Sequence, residues 1–443
     1  MLNNILFKQI DNSSLVVFRI IFGLLCFLES VGAIFTGWIK RTLIEPNFTF
    51  SCIGFEWLQP LPGYGMYVYY AIMGMFGLGI MLGYKYRFSA FCFALMWSAT
   101  YLMQKASYNN HYYLLMLLSW IMLFLPAHRN VSIDAKYTDI RRNYMPQWCR
   151  IFIIAQLFIV YTYAAIAKIY PDWLNTTVFE SLMQGKKHYF LVGEILQKKT
   201  IHYILAYGGI LFDGLIVPLL LIKQTRKYAF AISICFHLFN SFVFQIGIFP
   251  YLSLAFTLFF FPLEIIHRIF LKKQPFYNSG EIIIPGYYKP LIFVLSTYLL
   301  VQIALPLRHH FFQDHVLWTE EGHRLSWRMM LRCKSGFITF WTEDKDTGER
   351  EVVKLKTYLS KKQHRIIATK PDVIWQFAQR LKQEFKAQGK NISVYAEGKV
   401  SINGRPHQPF IDKHIDIANV PWHHLKHSNW ILPSKQLEEP HIN

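Results

Sequence analysis

The sequence contains no Cys-x-x-Cys pair, no His-Glu-x-x-His and no run of cysteines and histidines at metal-ligand spacing. These absences remove the dithiol signature of thioredoxin-like and quinone-reducing enzymes, and the familiar zinc sites with it. No metal is expected. Charge is scarce as well: 16% of the 443 residues are Asp, Glu, Lys or Arg, against 53% hydrophobic and 17% aromatic. That is too little charge for an ordinary water-soluble protein of this size. Acidic residues are the scarcest, 27 against 46 Lys and Arg, for a formal charge of +19. In an apolar chain such an excess belongs to the cytoplasmic loops of a membrane protein. The expected partner is therefore the lipid bilayer, and nucleic acid is not expected.

Apolar runs of spanning length, about 17 to 25 residues, occur near 15–36, 65–83, 87–104, 110–126, 149–167, 201–222, 228–246, 249–267 and 290–306. They predict a mainly α, polytopic helical bundle of about nine transmembrane helices. The first run lacks a small-residue cleavage site and reads as a retained helix. Basic residues cluster in alternate loops, at Lys85 and Arg87, Arg129 through Arg142, Lys223 through Lys227, and Arg268 through Lys273. That side is expected to be cytoplasmic, with the N-terminus inside and the chain beyond 306 in a periplasm or lumen. Lys186, Lys187, Lys198 and Lys199 run against this assignment.

The last third reads as an extramembrane α+β or β-rich domain, so the division expected is 1–306 in the membrane and 307–443 outside it. Phe337, Thr339 and Trp341 alternate as in a strand, and a second strand-like run extends from Glu351 to Tyr358. Val373, Ile374, Phe377 and Leu381 have helical spacing before Gly389. Asn403-Gly404 is a hairpin turn signal.

Polar side chains at span ends are expensive to bury and are functional candidates. Lys105, Asn110, His111 and Lys168 fall at the outer ends of predicted spans, and His237 and Asn240 lie within the outward-running seventh span. His237, Asn240 and Ser241 share a helix face through i, i+3, i+4 spacing. Their convergence would make a basic, outward pocket for a lipophilic ring. Plainer roles stand beside this one: Asn109 as a helix cap, Lys168 as a snorkelling lysine, His237 and Asn240 as interhelical hydrogen-bond partners. Gln156 and Asp213, deeper in the spans, have no evident partner and read as structural, and Arg19 and Glu29 are either paired or interface-facing. A lysine at the rim of an apolar cavity has a disfavoured ammonium, and the free amine can take a proton. Cys52 and Cys333, outside the spans, could form a disulfide.

Four segments, KASYNNHYYL (105–114), FIVYTYAAIAKIYPDW (158–173), FHLFNSFVFQIGIFPY (236–251) and LSWRMML (325–331), together with the hairpin KVSINGRPHQPFID (399–412), resemble in order the signature segments of the vitamin K-dependent gamma-glutamyl carboxylases. The likeness runs from about residue 15 to about 422 and suits a bacterial-type relative with an HTTM-like helical domain. It implies a membrane enzyme that oxidises vitamin K hydroquinone, or a menaquinol, with O2 to the epoxide. The strong base formed on the way removes a γ-hydrogen from a glutamate of a protein or peptide, and the carbanion captures CO2. The resemblance makes Lys168 the amine that deprotonates the quinol and His111 a support for the carboxylation step. Asn110, His237, Asn240 and Lys105 would bind the quinol; His323, Trp327 and Arg328 would engage the glutamate substrate. Ser326, Trp327, Met329 and Met330 keep the family pattern, whereas Arg328 departs from it.

The chain ends soon after the hairpin, without the C-terminal extension of the animal enzymes, and the helix at 371–387 lacks the cysteine that they pair with the equivalent of Cys52. Quinol oxygenation is thus the firmer expectation and carboxylation the weaker one. A quinol epoxidase without protein carboxylation is the first alternative. A non-enzymatic lipid-binding or transport protein is the second, against which stands the lack of matching Gly/Pro-interrupted spans.

Overall fold

A computed structural model describes residues 2–434; the last nine residues of the expected outer domain lie outside them. The helical part contains α1 (Ser13–Phe35), α2 (Gly65–Leu82), α3 (Tyr86–Met103), α4 (Asn110–Phe124), α5 (Trp148–Ile166), α6 (Lys199–Leu221), α7 (Arg226–Phe244), α8 (Phe249–Phe256), α9 (Leu263–Phe270) and α10 (Tyr288–Leu307). About nine spans were expected; among the described residues six helices are long and apolar enough to cross a membrane, a seventh span results if α8 and α9 are joined, and α3, over the expected run 87–104, is not among them. α4 is apolar but shorter. The run at 249–267, expected as one helix, is instead broken and bent by 118°. Pro262 stands at the break; it has no N–H to continue the helical ladder, and its ring disfavours helix in the residue before it.

α1 and α2 pack through glycines. A Cβ on Gly23 would lie 2.3 Å from the Met81 nitrogen, and one on Gly77 2.7 Å from that of Phe27, so only Gly allows this approach of two backbones. Arg19, deep in α1, donates to the carbonyls of Met81, Ala127, Asn130 and Val131, and Glu29 accepts a 2.8 Å bond from Tyr112 Oη. The two charges are not paired with each other. Through Arg19, and through Asp134 accepting from the backbone of Lys85 and Tyr86, the basic loops after α2 and α4 meet at one end of the bundle.

The C-terminal part is a four-stranded antiparallel sheet. β1 (Lys334–Asp344), β2 (Arg350–Val352), β3 (Ile392–Ile402) and β4 (Gln408–Pro409) lie in the order β2-β1-β3-β4. Helix α11 (Pro371–Ala387) covers the sheet, with Val373, Ile374, Phe377 and Leu381 buried against it. The inward face of β1 is Ile338, Phe340 and Thr342, and Phe337 points outward. The run expected as strand from Glu351 to Tyr358 pairs only as far as Val352; Leu355–Tyr358 is a helical turn. Asn403 and Gly404 both have positive φ, 53° and 82°, as a two-residue hairpin turn requires.

This sheet-and-helix unit docks on the helical part at the end away from the basic loops. Gln363 donates to the Phe48 carbonyl (2.7 Å), Lys105 meets Asp372 (3.0 Å), and Arg405 meets Asp172 (2.5 Å). Cys52 and Cys333 are both free thiols.

Candidate active site

Lys168 follows the last turn of α5, and its Nζ is drawn back to the Ala164 carbonyl at 3.1 Å. From the neighbouring α6, Asp213 forms an ion pair with it. Both side chains are buried, with 9% and 8% exposed. A charge placed alone there would be strongly unfavourable, and each group is tolerable because the other is present. Trp173 lies over the ammonium, its ring centre 5.4 Å from Nζ, and its indole N–H donates to the Ala206 carbonyl of α6 at 3.0 Å. The turn carrying Trp173 is fixed from outside the bundle: Asp172 accepts from Arg405 (2.5 Å) and from Asn403 Nδ2 (2.8 Å) in the hairpin.

The pair forms part of the wall of a cavity of about 610 Å³. Phe212, Phe236 and Phe249 supply aromatic surface, and His111, His237, Asn240 and Tyr161 supply polar atoms. His237 is buried; its Nε2 lies 3.2 Å from Tyr161 Oη, while its Nδ1 has no hydrogen-bond partner among the described residues. A buried ring nitrogen without a partner is a place for a ligand oxygen. His111 stacks on Phe249, with ring centres 4.0 Å apart. Ile204, Gly208, Ile232 and Cys235 also line the cavity and are exposed on the outer surface of α6 and α7. The cavity therefore opens sideways, between two apolar helices.

Four of the expected site residues, Lys168, His111, His237 and Asn240, are brought together here. Others are not. Asn110 accepts from Tyr108 Oη (2.7 Å) and donates to the Arg328 carbonyl (2.7 Å), so it clamps the segment 325–328 and lies behind the cavity. Lys105 is engaged with Asp372. Trp327 is fully buried and stacks on Tyr113 at 4.9 Å. Arg328 reaches His309 Nε2 at 2.9 Å, and His323 receives a 3.2 Å bond from Arg332. From their segment it is Met329 and Met330 that line the cavity. Leu325, Trp327 and Met330 have φ of 58°, 58° and 54°; three non-glycine residues in the left-handed region within six positions is a concentration of strain typical of functional loops.

Sequence reading missed Asp213 as a site residue. The available signal was that an acid within a span needs a partner, and a lysine at the end of a neighbouring span was within reach.

The HTTM domain family matches residues 7–264, more than half of the chain, and the family described as vitamin K-dependent gamma-carboxylase, lumenal domain, matches residues 287–437. No solved structure gives a significant match. With its apolar spans and its laterally open cavity, the helical part is that of a multi-pass HTTM membrane protein. The chain belongs to the vitamin K-dependent gamma-glutamyl carboxylase family. Membership implies a carboxylase-like function that uses vitamin K, O2 and CO2, with a glutamate-containing protein as substrate.

Proposed function

We propose that this chain couples the O2-dependent epoxidation of vitamin K hydroquinone, or a related menaquinol, to the addition of CO2 at the γ-carbon of a protein glutamate. Quinol, O2, CO2 and glutamate then give epoxide, γ-carboxyglutamate and water. The observation that carries this reading is the buried Lys168–Asp213 pair in the wall of an aromatic cavity that is open to the lipid side.

The pair acts as one proton acceptor. Holding a single proton it is neutral overall, whether as ammonium and carboxylate or as amine and carboxylic acid. A quinol hydroxyl gives it a second proton, so that a unit positive charge faces the quinolate. The carboxylate keeps the amine positioned, and the apolar walls strengthen the attraction between dyad and quinolate. His237 Nδ1 and Asn240 hold the ring oxygens, and His111 stands where the glutamate side chain meets the oxidised ring. Asn110 and Lys105 serve from outside the cavity by holding segment 325–328 and the C-terminal part in place. His323, Trp327 and Arg328 shape the path of the peptide, which enters past Met329 and Met330.

In the membrane, residues 1–306 form the catalytic domain, and 307–443 lie in the periplasm or lumen with the N-terminus cytoplasmic. Support comes from the gathering of basic loops at the end opposite the C-terminal part.

The test supplies purified protein with reduced vitamin K, O2, labelled bicarbonate and a glutamate-containing peptide. Epoxide and incorporated label together are expected. Epoxide without label, on several acidic peptides, would favour a quinol oxygenase, a reading to which the position of His323 and Arg328 outside the cavity lining lends weight. Neither product would remove the proposal.

A further inference from the structure

The segment that gives Met329 and Met330 to the cavity gives His323, Arg324 and Arg332 to a second, smaller pocket of about 270 Å³, completed by Lys105, Lys334 and Lys370. Five of these residues are cations sharing two carboxylates. Lys105 and Arg324 meet Asp372 at 3.0 and 3.1 Å. Arg332, Lys334 (3.5 Å) and Lys370 (2.6 Å) all meet Glu320. At full protonation three positive charges are left over, and the Lys105 and Lys334 side chains are only 2% and 5% exposed.

Such an excess is unfavourable without a matching anion. Burial, with Arg332 adding to it and Glu320 opposing, pulls Lys334 down to about 7 and Lys370 to about 8. Two of the lining residues also carry buried donors without acceptors. Burial and the flanking cations hold His323 far below the usual histidine value, so its ring is neutral. Since Nε2 accepts from Arg332, the proton sits on Nδ1. That Nδ1 and Arg324 Nη1 are both buried with no hydrogen-bond partner among the described residues.

We propose that this pocket is an anion site for a malonate-type dicarboxylate. The identity of that group rests on the carboxylase reading, because γ-carboxylation converts a glutamate side chain into a malonate. Two carboxylates on one carbon bring two negative charges close together to match the cationic excess, and a pocket of this volume admits a side-chain end but no prenylated ring. An acidic peptide would lodge a residue already carboxylated here while a neighbouring glutamate reaches the cavity past Met329 and Met330.

The experiment is an equilibrium titration of the full chain in detergent at matched ionic strength, with malonate, acetate and phosphate, and with a peptide carrying γ-carboxyglutamate or glutamate. Malonate is expected to bind at least about tenfold more tightly than acetate, and more tightly than phosphate. Arg324→Gln and Lys370→Gln should each weaken it about tenfold, the usual worth of a charge-assisted hydrogen bond, while quinone binding in the other cavity reports that the variants are folded. A peptide preference for γ-carboxyglutamate with the same dependence on Arg324 identifies the carboxylated substrate as the source; binding of malonate alone identifies a free dicarboxylate. No saturable malonate binding, tighter binding of phosphate, or indifference to both substitutions would overturn the assignment. Malonate binding without epoxide or label would retain the site and sink the carboxylase; epoxide and label without malonate binding would do the reverse.

Discussion

Lys168 and Asp213, 45 residues apart in the sequence, form a buried ion pair across α5 and α6 in the wall of the cavity. The pair is both the chemical centre of the proposed reaction and a structural liability, since neither charge is tolerable without the other.

Lys168→Ala leaves the Asp213 carboxylate uncompensated and should destabilise the helical part by about 3–5 kcal/mol. Lys168→Ala with Asp213→Ala should be less destabilised than the sum of the two single variants, as for any coupled pair. Quinol oxidation at neutral pH should fall about 10²- to 10⁴-fold in Lys168→Ala and recover in part with a small exogenous amine. Thermal unfolding and O2 uptake measure the two effects separately; additive stabilities and unchanged turnover would take the pair out of the mechanism.

Access from the lipid side makes two predictions. A Cβ on Gly208 meets nothing within 4 Å, so Gly208→Leu should leave the fold intact, raise KM for quinol about tenfold or more, and leave a water-soluble peptide's KM unchanged. Cys235, exposed and on the cavity rim, should react with a lipophilic maleimide more slowly when quinone is bound. Equal rates with and without quinone would place its binding elsewhere.

Arg405 holds Asp172 with both side chains buried, 5% and 1% exposed, and Asp172 precedes the tryptophan that covers the Lys168 ammonium. Arg405→Leu should therefore lower kcat about tenfold or more through misplacement of Lys168 while quinone affinity changes little. A loss confined to quinone affinity would instead assign Arg405 to the ligand.

The crowded lysines set a pH dependence. Lys334 and Lys370 have folded values of about 7 and 8, below the unfolded lysine value of about 10.4. Between those limits the unfolded chain binds more protons, so stability rises as pH increases from about 7 toward 10. Glu320 does not titrate in this window: although burial opposes it, Arg332, Lys370 and Lys334 hold it well below the carboxylate range. His427, raised by its hydrogen bond to Glu321, works in the opposite sense, losing its contribution as pH climbs through its folded value. The difference in melting temperature between Lys334→Met and the parent chain isolates the lysine contribution. The variant's melting temperature minus the parent's should fall as pH rises from 7 to 9, because the parent alone gains stability from this lysine, and a constant difference would contradict the assignment.

Six of the nine expected spans were legible because about 20 apolar residues leave few alternatives to a membrane helix. The runs at 87–104 and 110–126 form helices that do not meet the length and apolarity of a span, and α11 was legible from its spacing. The break before Leu263 was not, since Phe249 to Phe261 is as apolar as a straight span and a single proline decides the bend. Lys168 and His111 could be gathered from span ends, and His237 and Asn240 from the outer half of a span that runs toward the same side. That Asp213 needed a partner was legible, but the choice of Lys168 was not, because it depends on the rotation of α6 about its own axis. Between Leu325 and Met330 sequence order gave no guide: the positive φ values turn Trp327 against Tyr113 and leave Met329 and Met330 at the cavity. Those turns follow from docking on Tyr108 and Asn110, not from local preference.

In the proposed reaction, the cavity rimmed by Ile204, Ile232 and Cys235 draws its quinol from a two-dimensional solvent. Its degree of saturation is then set by the mole fraction of quinol among the surrounding lipids, so that adding inert lipid at constant total quinol slows the protein although nothing in the aqueous phase has changed.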